Sequence, residues 1–422
     1  MMKTSFKLKI ALYFVCLILL STCSLFAQDV TCDCKKDIGY VIEELKKTPA
    51  YKNDYRSNEQ TFDAQIKPII SKASSQTPLF DCYTLLVQTL QLVNDGHNSV
   101  YGLQDFDSEK LKDQDKLAEF KKTAFYSMYP DFSGDLDELT QRLSKKSNDS
   151  MEGIYYAGSR LQIGVVADSL SDSYKMIVLN SQLPIWENGE QLGVLKKKAN
   201  NQILAVIGNY TTKTPISITT GYAQREFMSL KLTKDTTQTQ FWQAGLSDKT
   251  YYFEQLNSDL SYLKIGSFSG FYPTLGEAEA FYKDLQERKI SKNIIIDLRS
   301  NGGGGDRNSD ILFDFLEKVH KGTRIYALVN QNTASNAEQF VLRLKELDHV
   351  TVLGDRTKGM IAYELKGAIS TVPSGFFKLY LTSKKHKTYL PYEGVGVVPD
   401  VFLDYSKDWI TQTQSIILQR TN

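Results

Sequence analysis

The sequence predicts an α/β core, mainly a parallel sheet with flanking helices, preceded by an N-terminal helical domain and a small β domain. Three observations carry this reading. Apolar residues recur at helical spacing over 33–150, short apolar runs divided by turn residues fill 153–232, and strands alternate with helices from about Tyr251. The divisions are a signal peptide over 1–27, the helical domain over 28–150, the β domain over 151–245 and the core over 246–422. A chain of 422 residues is long enough for several such units.

Taken in order, Lys3, Lys7 and Lys9 precede an apolar run from Ile10 to Leu20, which fades into small residues and Ala27. That run is shorter than the roughly 20 residues a spanning helix needs, so it reads as a secretory signal cleaved after Ala27. Leu20-Ser21-Thr22-Cys23 also resembles a bacterial lipoprotein box, which would place a lipid anchor at Cys23. Export to the periplasm or cell envelope of a bacterium is the expectation. Cys16 and Cys23 fall within this region, and an oxidising compartment favours a disulfide from Cys82 to either Cys32 or Cys34.

Ile38, Val41, Ile42 and Leu45 mark one amphipathic helix, and Leu85, Leu86, Leu90 and Val93 another, which closes at Asn94-Asp95-Gly96. Ser108–Lys122 is charged and reads as a solvated helix or linker. The β domain offers strands at Leu161–Ala167, Tyr174–Leu179, Ile203–Ile207, Ile216–Thr219 and Met228–Leu232. The core alternates a strand at Leu260–Ile265, a helix at Leu275–Glu287 and a strand at Asn293–Leu298. It continues with a helix at Ser309–His320, a strand at Arg324–Val329 and a helix at Asn336–Leu347, then strands at Val350–Leu353 and Phe377–Thr382. In such alternation the site is expected at the C-terminal ends of the strands. There is no low-complexity segment and no internal repeat.

A net charge of +1 without a basic run argues against nucleic acid as a partner. No cofactor or metal is expected, since Cys32-x-Cys34 has no His nearby to complete a ligand set. Chemistry concentrates instead in two segments. Asn293 to Gly305 runs a buried strand into four glycines, whose amides are free to face a ligand, and Asn332 to Glu338 places Ser335 immediately before a helix. A hydroxyl and a nearby set of amides are the minimum for acyl transfer. Ser335 and Glu338 also have the spacing of a capping box, an ordinary helix start.

A serine needs a base. Of four histidines, His320, His349 and His386 read as surface residues, whereas His97 lies in Asp95-Gly96-His97-Asn98-Ser99, at the close of an apolar helix.

Ile296-Asp297-Leu298-Arg299-Ser300-Asn301-Gly302-Gly303-Gly304 resembles the Asp-Leu-Arg-x-Asn-x-Gly-Gly signature of the tricorn-core and C-terminal-processing serine peptidases. Thr333-Ala334-Ser335 resembles their nucleophile segment, Gly354 to Gly359 their Gly-x-x-Thr-x-Gly stretch, and Gly394 to Asp400 the close of their core. The likeness spans about Tyr251 to Tyr405 and implies a sheet-and-helix core of the ClpP/crotonase kind. One branch of the family uses a lysine directly after the last glycine of the third motif; here that position is Met360, which cannot accept a proton. The tricorn-like branch uses an upstream His and a Glu before the final motif, and His97 and Glu393 fit those places.

The resemblance therefore implies an exported serine endopeptidase acting on peptides or proteins. Ser335 would be the nucleophile, His97 the base and Glu393 the group that orients it. The amides of Asn336, Gly302 and Gly303 would hold the oxyanion. Asp297 and Arg299 read as a structural charge pair, and Lys358 as a solvated lysine. Residues 153–235 lack the loop signatures of the PDZ module common in this family, so the β domain has no assigned role. Alternatives are a non-catalytic ligand- or peptide-binding protein on the same core, and an esterase using the same acyl chemistry.

Overall fold

The computed structural model describes residues 30–103, 109–168, 172–198, 202–364 and 369–421. The signal region, with Cys16 and the Cys23 anchor, lies outside them. Among the described residues no helix is long and apolar enough to cross a membrane.

The first helix, Cys34–Leu45, starts where the Asp33 carboxylate accepts the Lys36 N–H at 3.1 Å. It buries Ile38, Val41 and Leu45, and packs on Leu79–Leu90. Cys34 and Cys82 join these two helices in a disulfide, leaving Cys32 as a buried free thiol, so the open pairing resolves to Cys34. The charged stretch after Ser108 is not a free linker. Gln114–Phe120 is a helix anchored by buried Leu117 and Phe120.

Eight strands between Gly153 and Thr233 close into a barrel. Four of the five expected strands are present, and Gly153–Ala157 and Gln191–Lys197 add to them. Alternate residues such as Leu161, Ile163 and Val165 are buried, as the period of a strand requires. Met228–Leu232 is not one strand. Met228–Leu230 forms a 3₁₀ turn and Lys231 takes a left-handed φ of 51°, which breaks the extended backbone before Leu232–Thr233.

The core is a six-stranded sheet in the order Tyr251–Gln255, Leu260–Ile265, Asn293–Asp297, Arg324–Val329, Val350–Gly354, Val401–Phe402. Only the first strand runs antiparallel. Asn293–Asp297 is buried along its length, as expected of a parallel strand covered on both faces. Helices Thr274–Gln286, Asp306–Val319 and Asn336–Leu344 supply one apolar layer, and Trp409, Ile410 and Ile417 of the last helix another. The helix expected from Ser309 begins at Asp306, directly after the glycines.

Phe377–Thr382 does not extend this sheet. Its strand, Phe377–Tyr380, pairs antiparallel with Ser99–Gly102, while Val401–Phe402 occupies the place beside Val350–Gly354. That pairing brings the segment after His97 onto the core.

Candidate active site

Two devices fix the backbone around Ser335. Beneath it, buried Asp297 and Arg299 form a fork, with Nη2 to Oδ2 at 2.6 Å and Nε to Oδ1 at 2.8 Å, and the Tyr262 hydroxyl donates to the same carboxylate at 2.6 Å. Burial alone would raise the Asp297 carboxyl; the Arg299 guanidinium outweighs it and holds the group below its ordinary value. The pair braces the strand end. The turn that follows packs against the nucleophile segment, with the Ala334 N–H donating to the Asn301 carbonyl at 2.9 Å.

The second device is Glu338. Its buried carboxylate accepts the Ser335 N–H at 2.9 Å, the Thr357 hydroxyl at 2.5 Å, and the amides of Gly359 at 2.7 Å and Met360 at 3.0 Å. The capping contact is thus part of a four-donor clamp that joins the serine to the Gly354–Gly359 segment. Ser335 itself has φ 56° and ψ −126°, outside the regions an L-residue favours. Such a backbone persists only where its surroundings enforce it.

His97 arrives from the helical region. Its Nε2 lies 3.0 Å from Ser335 Oγ, across 238 residues of sequence. Three ties hold the turn that carries it. Gly96 N–H donates to Glu393 Oε1 at 3.0 Å, His97 N–H donates to Asp95 Oδ1 at 2.9 Å, and the Thr382 hydroxyl donates to Asp95 Oδ2 at 2.5 Å. Burial lowers the His97 pKa to about 4, with Lys358 lowering it further against the opposing field of Glu364, so the imidazole is neutral at neutral pH.

The geometry around Nδ1 differs from the expectation. Glu393 does not bond to the ring; besides the Gly96 amide it accepts those of Ile361 at 2.8 Å and Ala362 at 2.7 Å. Nδ1 is buried without a hydrogen-bond partner among the described residues, and Asp95 Oδ1 stands 3.8 Å from it. Asp95 is the residue that sequence reasoning missed. Its position two before a histidine is a visible signal, but its anchor, Thr382, is 287 residues away. Burial raises the Asp95 carboxyl to about 7.

The glycines are not equivalent. Gly303 takes φ 89°, and a Cβ there would stand 2.9 Å from Ser335 Cβ and 2.8 Å from Asn336 N. Its N–H is engaged by Asn301 Oδ1 at 2.9 Å. Gly302 has open space around its Cβ position. The Asn336 side chain donates to Asp306 at 2.8 Å. Of the other histidines, His386 pairs with Glu364 at 2.8 Å and His349 lies at the far end of the sheet.

Residues 259–321 and 307–401 match the model of peptidase family S41. Over these residues the chain is similar to the core of an S41 serine peptidase. No curated protein matches the chain. Among solved structures, the photosystem II D1 C-terminal processing protease is similar at 13% identity, with 88% of this chain and 93% of that one covered and a TM-score of 0.36. The tricorn protease is similar at 13% identity over 92% of this chain and 37% of that one, at a TM-score of 0.41. A lipoprotein from Streptococcus agalactiae is similar at 20% identity over 41% of this chain and 70% of that one, at a TM-score of 0.30.

Beside His97 the α/β core shares a cavity of about 770 Å³ with the barrel and the helices, lined among others by Leu204, Ile218, Lys358 and Met360. Met360 packs against Gly96, where any Cβ would overlap its side chain. Lys358 is half-buried and lines this cavity, and burial lowers its pKa. Another cavity of about 750 Å³ lies around Arg324 and Arg420, at the opposite ends of the parallel strands and away from these groups.

Proposed function

We propose that the protein is an exported serine endopeptidase in which Ser335 is the nucleophile and His97 the general base. The observation that carries this reading is the 3.0 Å contact between Ser335 Oγ and His97 Nε2, made by a neutral imidazole. Ser335 Oγ attacks the scissile carbonyl as its proton passes to Nε2. His97 then returns that proton to the leaving amine, and a water repeats the sequence to free the acyl group. The proton on Nδ1 faces Asp95, whose carboxylate stabilises the imidazolium, while Glu393 acts on the backbone that aims the ring. The Asn336 and Gly302 amides hold the oxyanion, each worth ~3 kcal/mol of transition-state stabilisation. Gly303 admits the nucleophile segment by lacking a side chain.

The organisation proposed with this function is a helical domain over 28–150 that delivers the base, a β domain over 151–245 that walls the cavity, and a catalytic core over 246–422. The Lys3–Ala27 leader pattern supports export, with Cys23 as the anchor if the lipoprotein box is used.

The test is labelling of the mature protein with a fluorophosphonate, with the adduct mapped by mass spectrometry in wild type and His97→Ala. An adduct on Ser335 that depends on His97 is the expected result. A folded wild-type protein that takes no adduct would overturn the reading, and Ser335→Ala with undiminished peptide turnover would do the same.

A further inference from the structure

The cavity beside His97 holds four acidic or basic side chains besides the histidine: Asp54, Asp95, Lys198 and Lys358. Three are already engaged. Asp54 accepts the Asn94 N–H at 2.7 Å, Asp95 accepts from Thr382 and His97, and the Lys198 ammonium donates to the Gln91 side chain at 2.6 Å. Lys358 differs. Among the described residues its ammonium has neither an ion pair nor a hydrogen bond, and its half-buried side chain lines the cavity. The acid whose field acts on it, Glu338, has its oxygens occupied by Ser335, Thr357, Gly359 and Met360.

An ammonium with no protein partner on a cavity wall is free to pair with a ligand's negative charge, and a charge-assisted hydrogen bond is the strong kind. The position of Lys358 is also fixed relative to the nucleophile, because its N–H donates to the Thr333 carbonyl at 3.0 Å, two residues before Ser335. The side of the scissile bond follows from the chemistry. His97 protonates the leaving amine, so the departing fragment lies on the imidazole's side, in the cavity that Lys358 shares.

We propose that Lys358 is a specificity residue that binds a carboxylate carried by the leaving, amine-side fragment of the substrate. This rests on the Ser335–His97 reading. The carboxylate has two sources, an acidic side chain just beyond the cleaved bond or the free C-terminus of a short leaving piece.

Matched peptides distinguish them: one pair differs only in a C-terminal acid or amide, the other only in Asp or Asn after the cleaved bond. Losing a charge-assisted hydrogen bond predicts a preference of roughly tenfold or more in kcat/KM for the acidic member of one pair in wild type. The pair that responds names the source. Lys358→Met should bring that ratio close to unity, and Lys358→Arg should keep it. If Lys358→Met does not fold, Lys358→Gln supplies the same comparison. Equal rates within both wild-type pairs, or a preference that survives loss of the ammonium, would overturn the proposal. A wild-type enzyme that labels at Ser335 yet shows no acid preference refutes only the role of Lys358. A wild-type protein that does not label at all refutes the catalytic reading itself.

Discussion

Gly303→Ala is the sharpest single probe of how the nucleophile is positioned. The native φ of 89° lies where L side chains strain the backbone, at about 1–2 kcal/mol. The added methyl would stand 2.7 Å from the Ala334 carbonyl oxygen, 2.8 Å from Asn336 N and 2.9 Å from Ser335 Cβ. Two of these are backbone atoms and the third is the first atom of the nucleophile's side chain, so relief requires the segment itself to shift. Overpacking of this kind adds about 1–3 kcal/mol, for a total destabilisation of about 2–5 kcal/mol. The consequence for chemistry is larger in proportion, because a displacement near 1 Å can cost on the order of 100-fold in rate. Gly302→Ala is the control: no heavy atom lies within 4 Å of its methyl, and the change in stability should stay within about 0.5 kcal/mol. Denaturant melts and fluorophosphonate labelling rates of the two variants give the answer. A Gly303→Ala protein that melts and labels like wild type would refute the argument that Ser335 is seated by contact with this glycine.

Two further outcomes are expected. Burial lifts Asp95 to about 7 and draws His97 down to about 4. Its folded pKa being raised, Asp95 favours the fold below its ordinary carboxylate range, and that contribution is lost as pH rises through about 7. Only the ionised form can face an imidazolium, so kcat/KM should climb through the same interval; a limb near 7 that survives in Asp95→Asn would exclude this role. Arg299→Met strands the buried Asp297 carboxylate and should cost about 3–5 kcal/mol, with the Asp297→Asn double variant recovering part of it; equal melts for wild type and Arg299→Met would contradict this.

The core was legible because its signals are local. Arg324–Val329 and Leu260–Ile265 fall where the apolar runs place them, and the glycines mark the turn by which the Asp297 strand reaches the site. Ser335 and His97 are readable as residue types in suggestive surroundings, and their contact matches the resemblance. What escaped depends on distant pairing. The barrel closes through two-residue strands at Glu226–Phe227 and Leu232–Thr233, too short to carry a pattern. Phe377–Tyr380 has the composition of a core strand, and only its partner, Ser99–Gly102, shows otherwise. Glu338 reads as a helix cap because three of its four donors come from segments whose contacts the sequence separates, and Lys358 reads as solvated because nothing local reveals the wall behind it.

The pairing of Ser99–Gly102 with Phe377–Tyr380 also bears on how the proposed catalytic contact is assembled. The base is made early in the chain, but the groups that aim it, Thr382 and Glu393, are made last. The proposed catalytic contact is therefore complete only once the segment carrying Thr382 and Glu393 has folded back over the one carrying His97.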